Sequence, residues 1–382
     1  MKIVLEAITA KKIGGGGFQI AYNFIKRSKE YKEVEFLYFV SEDLDKALGS
    51  LFLEERDNTY FVFPTQLQFK SYRRVQKKVD ELINILKPDV LYSILAPSFF
   101  RINCKEVMRC ANAWNYIHSV NQYAWATQTF RQRMITKIKA VITCHYMKKT
   151  KFFVTQTETA KRSIIEITKT APDNVQVVPN VLPAIYLSSS TRKKYHDGIN
   201  IVYVTGPIPH KNIKIIPEVA RILKNEYRLN GFKFIVTIPF NNKKDIEEFN
   251  SLVVRNGVEE HIVNVGYQTQ QQLVDLYSTC DIYFFPSLLE TFSAALLEAM
   301  HFKMPIVATD FSFNKEVAGD TALYFSDVNA EEAANQLSKL ISDKGVYDKY
   351  VELVSERIKL FNNYDRYFCD TIAFLKNVAS VR

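Results

Sequence analysis

A rhythm that occurs twice constrains this chain most: short apolar runs of strand length alternate with amphipathic stretches of helix length, and one polar break separates two such series. In the first series, residues 2–6, 36–40, 89–93, 152–155 and 175–179 read as strands. Residues 18–29 and 69–86 place apolar side chains at helical spacing, the second stretch ending at Lys87-Pro88. Between 183 and 198 the pattern stops in a polar, aperiodic segment of linker composition. A second series follows, with strands at 199–204, 232–238, 262–265, 281–285 and 305–308 and helices at 215–226, 270–278 and 293–300. Strands that are apolar throughout and alternate with helices belong to parallel sheets covered on both faces. The chain therefore predicts an α/β protein of two Rossmann-like domains facing across a cleft. Their boundaries fall at 1–183 for the first domain, 184–198 for a linker and 199–360 for the second, with a C-terminal helix over 361–382 packing back towards the first.

Composition removes several classes. The 382 residues are 47% hydrophobic and 24% charged, which suits a folded chain throughout. Nothing approaches the roughly 18 consecutive apolar residues of a membrane span. The N-terminus is a short strand followed by Lys11-Lys12 and glycines, so no signal peptide is expected. The five cysteines contain no CxxC pair, which predicts buried reduced thiols, no zinc and a cytoplasmic compartment. Charge is uneven. Residues 1–169 hold 28 Lys/Arg against 16 Asp/Glu, a net of +12, so the remainder carries −3 of the total +9. Such a first half suits an anionic partner, whether membrane surface, nucleic acid or phosphorylated substrate, and suits equally a solvated basic face. The densest cluster runs from Arg131 to Lys151, with Tyr123, Trp125 and Phe130 nearby as candidate interfacial aromatics.

The segment richest in chemistry is 284–300, Phe-Phe-Pro-Ser-Leu-Leu-Glu-Thr-Phe-Ser-Ala-Ala-Leu-Leu-Glu-Ala-Met. A buried strand ends at Pro286, a short loop follows, and Ser293 is a suitable N-cap for a helix of strong formers. The N–H groups of such a first turn, at a strand's carboxyl end, bind phosphate without a basic side chain. Glu290 and Glu298 stand on either side of that turn. Carboxylates beside a phosphate site need hydroxyl donors, which sugar and ribose supply. Taken alone, the spacing is equally compatible with an exposed loop acid and a solvated helix acid.

This segment resembles the nucleotide-sugar signature of the retaining family 4 glycosyltransferases: two glutamates separated by seven residues on a Pro-Ser…Glu-(Thr/Gly)-Phe…Glu-Ala framework. The likeness is strong over about 199–325 and weaker but collinear before that. It implies the GT-B fold, with Glu290 on the hydroxyls of the transferred sugar and Glu298 on the ribose. Thr291, Phe292 and Ser293 would then supply phosphate-binding amides, and the stretch through Gly266 and Tyr267 would lie beside the base, although Tyr267 is equally a core aromatic. It sets Lys211 against the donor diphosphate, where an ammonium stabilises charge that grows in the transition state. In many family members an arginine stands five residues earlier, where this chain has Gly206, leaving Lys211, backbone amides and His210 to neutralise the diphosphate. The run Gly14 to Gly17, with Gly15 and Gly16 at its centre, resembles the family's glycine-rich donor loop, and it does not fit a dinucleotide GxGxxG pattern. His118 matches loosely a family histidine near the donor sugar and is equally a structural histidine.

The resemblance implies a retaining transferase acting by positioning and electrostatic stabilisation, with the leaving diphosphate helping to deprotonate the acceptor. Its co-substrate would be a nucleotide sugar, UDP-linked rather than GDP-linked, and its acceptor a glycan or lipid-linked glycan of bacterial surface polysaccharide. No cofactor or metal is implied, since no DxD-like carboxylate pair stands in a cleft loop. An anionic membrane surface is the expected partner and nucleic acid is not. Two rivals share the fold: a sugar-nucleotide 2-epimerase, which needs acid and base carboxylates in the first domain, and a silent sugar-nucleotide-binding protein, which needs Glu298 without cleft donors.

Overall fold

The computed structural model describes residues 1–11, 16–56, 58–65, 69–97, 99–116, 122–189, 197–206, 208–241 and 243–381. The chain forms two compact units: 1–118 with 136–179 and 365–382, and 119–135 with 180–364. Among the described residues each unit holds one parallel sheet. The first sheet contains β1 (Lys2–Ala7), β2 (Glu35–Ser41), β3 (Tyr60–Phe63), β4 (Val90–Ser93), β5 (Lys105–Arg109), β6 (Phe152–Thr155) and β7 (Val175–Val177), in the order β3-β2-β1-β4-β5-β6-β7. The second contains β8 (Ile199–Tyr203), β9 (Phe232–Val236), β10 (Ile262–Asn264), β11 (Ile282–Phe285), β12 (Ile306–Thr309) and β13 (Ala322–Phe325), in the order β10-β9-β8-β11-β12-β13. Both orders reverse direction once, between β1 and β4 in the first sheet and between β8 and β11 in the second. In open α/β sheets that reversal opens the crevice in which ligands bind.

Packing follows the periodicity. Helix Phe69–Leu86 sets Val75, Val79 and Ile83, four residues apart, on Val4, Leu37 and Leu91 of the first sheet. Helix Ile216–Asn225 buries Val219, Ala220, Ile222 and Leu223 in the core of the second unit, where helix Ala330–Ser342 lies against it. The final helix, Tyr364–Ser380, belongs to the first unit. Phe368 packs its ring 4.8 Å from Phe24 and 5.6 Å from Tyr31, Arg27 donates to Asp365 (2.8 Å), and Lys376 pairs with Glu33 (2.7 Å).

Several elements were not expected from the pattern. β3 is only four residues long and stops at Pro64, while β5 reads Lys-Glu-Val-Met-Arg and hides its alternation behind charges. Inside the sheet those charges have partners: Ser93 donates to Glu106 (2.7 Å) and Lys105 to the carbonyl of Ala379 (2.7 Å). The stretch expected as linker is partly structured, since Ala184–Leu187 form a helical turn whose Tyr186 is fully buried in the second unit. The expectation of uniformly buried thiols also needs correction: Cys110 and Cys280 are buried, but Cys369 is exposed on the final helix.

Glu6 is fully buried at the carboxyl end of β1, accepting from the Ile8 amide (2.8 Å), with Glu106 nearby. Burial first, and the Glu106 charge second, raise its pKa from 4.5 to about 8. A carboxyl raised in the folded state contributes stability that is complete below the unfolded pKa and is lost as pH rises through the folded one. The window is therefore about pH 4.5 to 8, and the loss amounts to at most about 5 kcal/mol. Urea unfolding across that window should show wild type falling relative to Glu6→Gln, and parallel curves would mean that Glu6 titrates as an ordinary carboxylate.

Candidate functional site

The loops leaving β8 and β11 meet at the reversal point of the second sheet. The β8 loop ends in the turn Pro209–Lys211, whose Lys211 carbonyl accepts from the buried Tyr203 hydroxyl (2.9 Å). The β11 loop is tied to it by the Leu288 amide, which donates to the His210 carbonyl (2.8 Å). Across this junction the Lys211 ammonium pairs with Glu290 Oε1, which also accepts from the Ser287 hydroxyl (2.9 Å). The lysine side chain is 21% exposed and the glutamate 14%, so both are largely shielded yet reachable. Beneath them the Thr309 hydroxyl donates to the Ser287 carbonyl (2.6 Å), and the Asn314 amide donates to Thr309 (2.9 Å). These buried polar residues fix the loop, because an unmet group there is costly.

Helix Ala294–His301 starts beside this pair. Ser293 occupies the N-cap with extended backbone, but its hydroxyl caps nothing, contrary to the capping expected from sequence. The first-turn amides thus lack a side-chain cap, the condition in which a helix start serves an anion. Thr291 and Ser293 are buried, and Phe292 lays its ring 6.0 Å from that of Phe361. One turn further, Glu298 accepts from the Tyr277 hydroxyl (2.7 Å), with the Tyr186 hydroxyl also close to it. Burial raises its pKa, and the tyrosine hydroxyls pull the other way.

The adjoining loops after β9 and β10 are joined by Asn264, whose Oδ1 accepts from the amides of Ile238 (2.9 Å) and Gly266 (3.1 Å). Gly266 has φ +72°, the left-handed region that favours glycine, and a Cβ there would stand 2.4 Å from the Phe240 ring. Tyr267 is 72% exposed, so it is not a core ring.

Other predicted residues fall elsewhere. His118 and Gly15 lie outside the described residues, while Gly16 is exposed at the start of helix Gly16–Ser28 in the first unit. At Gly206 an added Cβ meets nothing within 4 Å, so space does not exclude a side chain. His210 supplies no positive charge, since burial lowers its pKa to about 4. The short helix Gln122–Ala126 lies against the Lys211 turn, with Tyr123 and Trp125 half-buried. Reading the sequence missed Tyr203, Tyr277, Ser287, Thr309 and Asn314, whose roles depend on three-dimensional neighbours. Among the described residues no three His, Cys, Asp or Glu side chains gather as a metal site would require, and no helix is long and apolar enough to cross a membrane.

Both units are thus α/β sheets of the doubly wound kind, and the second carries its polar cluster at the reversal point. Residues 189–357 match the model of the family described as Glycosyl transferases group 1. The chain is 25% identical over 198 residues to the GPI3 subunit of a Saccharomyces cerevisiae phosphatidylinositol N-acetylglucosaminyltransferase, a match covering 48% of this chain and 41% of the yeast protein. It is 27% identical over 192 residues to the Staphylococcus aureus capsular polysaccharide biosynthesis glycosyltransferase CapH, covering 48% and 50%. The chain spans half or less of the length of these curated relatives. Among solved structures, a Rickettsia africae glycosyltransferase superposes with a TM-score of 0.74 at 13% identity, covering 100% of this chain and 99% of the other. Anabaena HepE, solved in complex with UDP, gives 0.73 at 14% identity, covering 99% and 100%. The fold is therefore the two-unit α/β fold of GT-B glycosyltransferases.

Proposed function

We propose that the protein is a retaining glycosyltransferase that moves a sugar from a UDP-sugar to a glycan on a lipid carrier, in the assembly of a bacterial surface polysaccharide. One observation carries the reading: Lys211 and Glu290 meet at the reversal point of the second sheet, beside the uncapped start of helix Ala294–His301. In the proposed roles Lys211 and the amides of Thr291, Phe292 and Ser293 hold the diphosphate. Glu290 takes the sugar hydroxyls and Glu298 the ribose, while Gly266 and Tyr267 border the base. UDP is preferred to GDP because HepE, of the same fold, was solved with UDP, and CapH supports the polysaccharide setting. No metal is required, since a fixed ammonium and helix amides suffice for the leaving diphosphate. A lipid-linked acceptor puts the protein on the inner face of the cytoplasmic membrane.

Epimerase chemistry is less well supported. Glu6 and Glu106 do lie close together in the first unit, a pairing missed in the sequence, yet both are buried within the sheet. Incubation with UDP-, GDP- and ADP-sugars plus lipid-linked acceptor, following free nucleoside diphosphate, epimer and glycolipid, tests the proposal. UDP release matched by a glycolipid of unchanged anomeric configuration is the expected result. An epimer without transfer, or a bound but unconsumed nucleotide, would replace it with one of the rivals.

A further inference from the structure

Four tyrosines form a continuous row of rings in the second unit: Tyr203 from β8, Tyr283 from β11, Tyr277 from helix Gln270–Tyr277 and Tyr186 from the turn Ala184–Leu187. All four are fully buried, and their centroids follow one another at 6.5, 6.5 and 6.3 Å. Phenylalanine would fill the same space without a buried hydroxyl, which is unfavourable unless it finds a partner. At two of the four the partner belongs to the candidate site. Tyr203 donates to the Lys211 carbonyl (2.9 Å), and Tyr277 donates to Glu298 Oε2 (2.7 Å). The Tyr186 hydroxyl lies close to the same carboxylate and has no hydrogen-bond partner among the described residues. Glu298 itself is half-buried, and among the described residues its other oxygen, Oε1, accepts from no group.

We infer that Tyr277, with Tyr186 beside it, is a positioning residue for nucleotide binding: its hydroxyl holds Glu298 by Oε2 and leaves Oε1 to the ligand's hydroxyls. The inference rests on the proposed role of Glu298 as acceptor for the ribose. A glutamate side chain without such an anchor would lose its rotamer freedom when the ligand binds, and affinity would fall accordingly. The Tyr277 ring is itself held among Tyr186, Tyr283 and Phe302, the last at 5.4 Å, so the anchor does not drift. Its hydroxyl also donates to the charged form of Glu298 and so opposes the burial that favours the neutral one. The surroundings hold no rival for this part. Tyr283 lies near both glutamates, and burial lowers the pKa of His301, one turn further along the helix of Glu298. β12, which packs on that helix, carries no charged residue. Helix Lys344–Arg357 and the turn Ile358–Phe361 pack on it too, but Arg357 donates to the carbonyls of Glu316 (2.8 Å) and Val317 (2.9 Å), and Lys359 pairs with Glu356 (2.7 Å).

The test is calorimetric titration of UDP into the full chain as wild type, Tyr277→Phe, Glu298→Gln and the double variant, from mildly acidic to mildly alkaline pH. At neutral pH Tyr277→Phe should bind UDP about tenfold more weakly, the loss of one hydrogen bond to a charged group. On acidification its affinity should start to fall at a higher pH than that of wild type, because the carboxylate has lost a donor that favours its charged form. In the Glu298→Gln background the same substitution should weaken UDP by no more than about threefold and shift no part of the profile, since both changes act through one carboxylate. Circular dichroism and thermal midpoints report folding. Should Tyr277→Phe fail to fold, Tyr186→Phe decides: its profile should shift in the same direction, and an unshifted profile overturns the inference. A folded Tyr277→Phe variant with wild-type affinity and profile also overturns it. So does an equal loss in both backgrounds, the mark of a merely structural tyrosine. Glu298→Gln binding UDP as wild type would remove the ribose role itself and this inference with it. That outcome is distinct from a weakened Glu298→Gln beside an unaffected Tyr277→Phe, which overturns the inference alone.

Discussion

Replacing Lys211 by alanine should lower kcat by about 100-fold or more while changing donor affinity much less. The proposed ground-state diphosphate already has helix amides as partners, whereas the charge added as the glycosidic bond breaks would fall on oxygens that Lys211, in its proposed role, meets with a full cation. An interaction that strengthens only in the transition state appears in kcat. His210 cannot substitute for it, because burial keeps its imidazole neutral. Removing the ammonium also leaves Glu290 largely shielded without its cation, so some loss of stability is expected as well. The thermal midpoint must therefore be recorded with the kinetics. A folded Lys211→Ala variant with wild-type turnover would take the lysine out of the reaction. Lys211→Arg, which keeps the charge but not its compact geometry, should recover only part of the rate.

The pairing of Lys211 with Glu290 also bears on what could be read before the fold was known. Alternation of strands and helices revealed both sheets, because period and apolar content survive in any single stretch of β1, β2, β8 or β11. β5 was invisible for the converse reason: three of its five side chains are charged, and only their partners in the fold make them compatible with a central strand. At the site, the residues proposed to touch a ligand stood out through the resemblance of residues 284–300 and of Lys211 to a family signature, since spacing alone left the two glutamates open. Those that hold them did not. Ser287, Thr309 and Asn314 form a chain across three elements, and nothing local distinguishes a threonine ending β12 from any other.

Glu298→Gln should weaken binding of free UDP, whereas Glu290→Gln should leave UDP binding near wild type and impair transfer. The proposed partners of Glu298 are ribose hydroxyls, present in UDP itself; those of Glu290 belong to the sugar, which UDP lacks. Glutamine is the informative change at 298 because its amide oxygen still accepts from Tyr277, so the buried hydroxyl is not stranded. What is lost is the charge on the acceptor, and a hydrogen bond to a charged group is worth about 1.5–3 kcal/mol. That corresponds to roughly a ten- to hundredfold rise in the UDP dissociation constant. The pH dependence gives a second signature. Burial raises the Glu298 pKa, so on acidification it takes up a proton earlier than an ordinary glutamate and loses acceptor capacity. UDP affinity in wild type should therefore start to fall at a pH above the usual 4.5 of a glutamate, and Glu298→Gln should abolish that part of the profile. Calorimetric titration of UDP into wild type and both variants, repeated across mildly acidic pH, measures both effects. Equal UDP affinity in the two variants would overturn this division of labour.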